Sequence, residues 1–109
     1  MANSFINKKA DLTTTDLTSL YTVPDFKTSV VKSILVSNDS GSSCNIDITL
    51  VNASSAVFSL FKTKAVSANE TLELLSQPLV LQESEILKAT AATGNRLHVV
   101  VSMLEINRS

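Results

Sequence analysis

The 109-residue sequence contains no tryptophan, one tyrosine and four phenylalanines, so a stacking platform for bases or sugars is hard to assemble from it. Cys44 is the only cysteine, which excludes an intrachain disulfide and fits folding in a reducing cytosol. One cysteine and one histidine, His98, cannot supply the usual ligand set of structural zinc. The two glycines, Gly41 and Gly94, lie far apart, and neither belongs to a Gly-rich phosphate loop. Charge is also nearly balanced, at a formal −1. A protein that neutralises many phosphates needs clustered Lys and Arg, so nucleic acid is not an expected partner. No apolar run reaches the roughly 18 residues of a membrane span. The opening Met1-Ala2-Asn3-Ser4-Phe5 lacks the basic and apolar regions of a secretory signal. A soluble product with no membrane partner is expected.

What the chain does contain is short apolar runs rich in Val, Ile and Leu, separated every six to twelve residues by Ser, Asn, Asp, Gly or Pro. They predict strands at about 17–23, 28–37, 43–51, 56–65, 71–75, 79–81, 85–91 and 97–106. Ile46, Ile48 and Leu50 alternate with Asn45, Asp47 and Thr49, the period-two pattern of a strand with one dry and one wet face. The last strand differs: Leu97, Val99, Val101 and Met103 face one way, but Val100, Leu104 and Ile106 face the other, so it needs cover twice. Val57, Phe58, Leu60 and Phe61 show the same duality, which either intrachain cover or a subunit contact would satisfy. Gly41 and Gly94 fall in strand connections, where a positive φ costs glycine little. Pro24 and Pro78 sit at strand ends. About a quarter of the residues are Ser or Thr, but they alternate with apolar side chains, as on strand surfaces.

The expected architecture is all-β: a single antiparallel β-sandwich, jelly-roll or Ig-like, of about eight strands with an extended N-terminal arm. One domain fits this length. Residues 1–15 are expected to form the arm and 16–109 the sandwich. Phe5 and Ile6 are the arm's only adjacent large apolar pair, and either add a strand to the domain or dock on a neighbour.

Constellations for chemistry are sparse. A Ser-His-Asp triad would have to use His98, which lies inside an apolar strand without an elbow motif, and a Cys44/His98 pair matches no catalytic signature. A hydrogen-bonded or solvent-facing strand histidine is the better account of His98. Asn38-Asp39-Ser40 with Asp47 lacks the register of a calcium loop and reads as a self-bonded turn. Glu83/Glu85 and Asp11/Asp16 are the available carboxylate pairs for glycoside chemistry, and the former sit beside a turn where charges are normally wet. Lys8-Lys9 and Lys62/Lys64 are expected to keep strand edges soluble. Asn-X-Ser/Thr triplets at Asn38, Asn52, Asn69 and Asn107 reflect composition. No catalytic, cofactor-binding or metal residue is assigned, and no cofactor and no enzymatic activity are expected.

Three segments, in order, carry a family resemblance: the Met1-Ala2-Asn3-Ser4-Phe5 opening, Leu20-Tyr21-Thr22-Val23-Pro24, and Val31-Lys32-Ser33-Ile34-Leu35-Val36-Ser37-Asn38. With Leu72-Leu74-Leu75 and the Val101-Ser102-Met103-Leu104-Glu105-Ile106 close, they resemble small β-sandwich structural proteins of tailed bacteriophage virions, of tail, neck or capsid-decoration type. Many such chains carry a Gly-Asp type turn where this one has Ser84-Glu85. The resemblance implies a non-enzymatic virion structural protein, a homo-oligomer whose partners are other virion proteins and copies of itself. The alternative is a small carbohydrate-binding or receptor-recognition module gripping sugars with polar loops, such as Tyr21 or residues 38–43.

Overall fold

A computed structural model describes residues 3–107; Met1, Ala2, Arg108 and Ser109, and with them the start of the opening segment and the end of the Asn107 triplet, lie outside the described residues. Nine strands span that range: β1 (Asn3–Leu12), β2 (Thr18–Thr22), β3 (Lys27–Asn38), β4 (Cys44–Val51), β5 (Val57–Val66), β6 (Glu70–Glu73), β7 (Leu79–Leu81), β8 (Ile86–Ala91) and β9 (Leu97–Asn107). The eight expected strands are all present, and the ninth is the N-terminal segment itself.

The pairings nest. β4 pairs with β5 across the 52–56 tip, β3 with β6 and β7, β2 with β8, and β1 with β9, all antiparallel. The chain is thus one long hairpin rolled up so that alternate stems fall in different sheets. One sheet has the order β1-β9-β3-β6, with β7 also on β3; the other has β2-β8-β4-β5. That order is the jelly-roll arrangement of two Greek keys, and it decides between the two sandwich topologies expected.

Alternation then sorts the side chains. In β9, Leu97, Val99, Val101 and Met103 enter the core; in β3, Val31, Ile34 and Val36 do so; Ile46 and Ile48 of β4 and Leu87, Ala89 and Ala91 of β8 meet them from the other sheet. An extra residue in β3 between Val31 and Ser33 keeps both halves of that twelve-residue strand facing inward. A similar irregularity in β2 buries the consecutive Leu20 and Tyr21.

Residues 3–12 pair along their whole length with β9, Asn3 opposite Ile106 and Leu12 opposite Leu97. The N-terminal segment therefore adds a strand to its own domain. Ile6, Ala10 and Leu12 pack on the core, while Phe5 points away from it. The role expected of the glycines needs correction, because neither has a positive φ. Gly94 is required for space instead: a Cβ there would meet the Thr13 carbonyl oxygen at 2.5 Å. The left-handed turn positions are filled by Phe26, Ser55, Asn69, Ser84 and Asn95, and Thr63 takes the same conformation at an irregularity inside β5. β5 also departs from simple alternation. Two irregularities in its pairing with β4 let both Leu60 and Phe61 pack on the core, leaving Val57 and Phe58 exposed.

Candidate functional site

Residues directly opposite in adjacent strands share a face. The register places Phe5 opposite Leu104, Leu104 opposite Val30, and Val30 opposite Val80. A four-strand apolar row thus crosses the solvent side of the β1-β9-β3-β7 sheet. Phe5 is 77% exposed and Val80 52%, while Leu104 and Val30 are half-buried. Ile106 and the Val100–Leu35 pair extend the apolar character to either side. Between them the side chains are small: Asn7, Ser102 and Ser33 occupy the intervening row. They leave a groove of about 360 Å³ walled by Phe5 and Lys32. Lys32 is the extra residue of the β3 irregularity, which sends its exposed side chain to this surface.

The hydrogen-bonding around this face fixes its shape. Glu73 of β6 accepts from the Ser33 hydroxyl and, at 2.8 and 3.1 Å, from the backbone N–H groups of Ile34 and Leu75. Burial pushes its carboxyl up, but those three hydrogen bonds together outweigh burial and hold it below the ordinary 4.5. At the far end of the face His98 lies between two carboxylates, with Asp11 Oδ1 2.5 Å from Nδ1 and Asp39 Oδ2 3.0 Å from Nε2. The Asp11 hydrogen bond, then that of Asp39, raises the imidazole above its ordinary 6.5 against a small opposing effect of burial. All three side chains are well exposed, so the bridge contributes little net stability.

Beneath the face, a buried polar cluster joins the two sheets. Tyr21 of β2 donates its hydroxyl proton to Glu105 Oε2 at 2.5 Å and lies 2.5 Å from Ser29 Oγ. The phenol has one proton, so Ser29 is the donor in the second contact. Lys27 Nζ completes the group 3.2 Å from Glu105 Oε1. Burial, reinforced by the Glu105 carboxylate, raises the Tyr21 hydroxyl above its ordinary 10.0, so it stays protonated and keeps donating. No sequence motif flagged Glu105; the signal was its place in register with inward-facing Met103, two residues before it. Beside this cluster a cleft of about 240 Å³ opens between β1 and β2, with Lys8 on its rim.

The residues weighed for chemistry are dispersed. Cys44 is buried, its thiol toward the carbonyls of Asn45 and Thr93, whereas His98 faces outward on the other sheet, so the two do not meet. Asn38 spends its side chain on Ser40, Ser42 and Val66, and Asp47 accepts from the Thr63 N–H at 2.6 Å, so the calcium-like set does not converge. Glu83 and Glu85 accept from the N–H groups of Phe26 and Gln82. Asp11 is held by His98, and Asp16 lies in the β1–β2 connection. Lys62 and Lys64 are exposed on edge strand β5. Among the described residues no three His, Cys, Asp or Glu side chains are grouped to hold a metal ion.

The fold and this face define an antiparallel jelly-roll domain with a partly apolar outer sheet. No protein-family model matches the chain, and no curated protein does. Among solved structures, a chain in the structure of infectious bursal disease virus, Gt strain, aligns over 98% of this chain at 8% identity with a TM-score of 0.42. This chain spans 31% of the length of that one.

Proposed function

We propose that this chain is a non-enzymatic structural protein of a tailed bacteriophage virion, a capsid-decoration or tail-associated component that assembles through protein–protein contacts. The observation that carries the reading is the row Phe5–Leu104–Val30–Val80 on a solvent-facing sheet. Water charges roughly 25 cal/mol for each Å² of such surface, and a partner removes that cost. The ordered segments at residues 20–24 and 31–38 support the virion assignment by resemblance, and jelly rolls are common among capsid domains. Jelly rolls also occur in lectins. Here, however, Tyr21 is buried with its hydroxyl engaged, and Asn38, Ser40 and Ser42 bond to one another. Tyr21 thus offers no open aromatic platform, and Asn38 no free amide, to a sugar.

Mass spectrometry of purified particles from a phage encoding this chain tests the proposal. The chain is expected in fixed stoichiometry with the major virion proteins, and its absence from mature particles would overturn the assignment.

A further inference from the structure

Phe26 stands in a conformation its chemistry disfavours. It is 62% exposed and has a φ of 62°, a left-handed backbone in an aromatic residue. Its corner is nonetheless fixed. The Phe26 N–H donates to Glu83 Oε1 at 3.1 Å, and the Val23 N–H and carbonyl are bonded to Glu85 and Ser84 at 2.9 and 3.1 Å. The β2–β3 and β7–β8 corners thus lock together and hold an aromatic ring in water next to Asp25, with Glu83 on its N–H. Backbone strain retained at an exposed, rigid position points to recognition.

The groove on the outer sheet has the opposite chemistry. Its walls are Phe5 and Lys32, its floor carries Asn7 and Ser102, and Lys9 follows two residues along β1 on the same face. The nearest acids on that face, Asp11 and Glu73, are already engaged with His98 and with Ser33, Ile34 and Leu75. A partly apolar slot flanked by lysines suits an aromatic ring with the Asp25 carboxylate next to it in the chain.

We infer that the Phe26 corner of one copy seats in the Phe5–Lys32 groove of a second copy, with Asp25 facing Lys32. The inference rests on the outer sheet being an assembly surface. Knob and groove are different patches, so the contact propagates from copy to copy unless a rotation axis closes it into a ring.

Sedimentation equilibrium of the purified chain provides the test. The wild-type chain is expected to self-associate, and Phe26→Ala, Lys32→Glu and Asp25→Lys each to weaken association by about tenfold or more. The chain carrying both Lys32→Glu and Asp25→Lys is expected to recover to within about threefold of wild type, since the charge pair is restored with reversed sign. Unchanged thermal unfolding verifies that each variant is folded. A wild-type chain that stays monomeric up to roughly 1 mM, or a double variant no better than its parents, overturns the contact. A chain present in virions but indifferent to these substitutions sinks this contact alone. One that associates in this way but is missing from particles sinks the virion role alone.

Discussion

The outward side of β9 carries His98, Val100, Ser102, Leu104 and Ile106, while that of β4, an interior strand of the other sheet, carries Asn45, Asp47, Thr49 and Val51. Inward, the two strands are alike, with Val99, Val101 and Met103 on one and Ile46 and Ile48 on the other, all fully buried. The core therefore needs both strands equally, and the difference lies only in what each shows to solvent. Surface exchanges of this kind usually change stability by no more than about 0.5 kcal/mol, so folding alone does not account for leucine and isoleucine where the other sheet has asparagine and aspartate. On the proposed reading, the asymmetry between these two strands reflects contacts the chain makes with a partner.

Neighbouring residues of β9 give the sharpest contrast. Met103→Ala removes a buried side chain and is expected to cost about 2–5 kcal/mol in denaturant unfolding, while Leu104→Ala, one residue on and facing out, should cost under about 1 kcal/mol in the isolated chain. Equal costs would mean that the outer row is part of the core. Tyr21→Phe leaves the buried Glu105 carboxylate without its phenolic donor and should destabilise by about 1–3 kcal/mol. Thermal unfolding measures whether this link between the sheets holds the apolar one in place. Ser84→Gly should stabilise by up to about 1 kcal/mol, since Ser84 has a φ of 70°, a left-handed backbone that strains an L residue and costs glycine little.

The smallest effects are those of pH. His98 has a raised folded-state value, so its stabilisation is complete below 6.5 and disappears as pH rises through that higher value. Glu73 is the reverse: its contribution is present above 4.5 and disappears as pH falls through its lower folded value. Stability measured against pH should lose the first slope in His98→Gln and the second in Glu73→Gln, and each slope surviving its substitution would deny that residue its role.

Much of this architecture was legible because burial writes a period into sequence. Ile46, Ile48 and Leu50 gave β4, and the doubly apolar run after Leu97 gave both the core strand and the outer row. β1 was harder to read. It lies at a sheet edge, where Ser4 and Lys8 point to the core side yet reach solvent, so only Ile6, Ala10 and Leu12 mark its alternation. The β5 irregularities were hidden because an extra residue shifts every later side chain to the other face. Tyr21 and Glu105 are 84 residues apart, and only the rolled hairpin brings them together. The groove was equally invisible, because it depends on which residues of β1, β3 and β9 share a row.

Incorporation of single-lysine variants into particles tests the proposed assembly face most directly. Val30→Lys places a charge in the apolar row, and Thr90→Lys places the same charge on the outward side of β8 in the other sheet. With both variants folded, Val30→Lys should be lost from purified particles while Thr90→Lys is retained at the wild-type level. Equal incorporation of the two, or loss of Thr90→Lys alone, would contradict the assignment of assembly to the β1-β9-β3-β7 face.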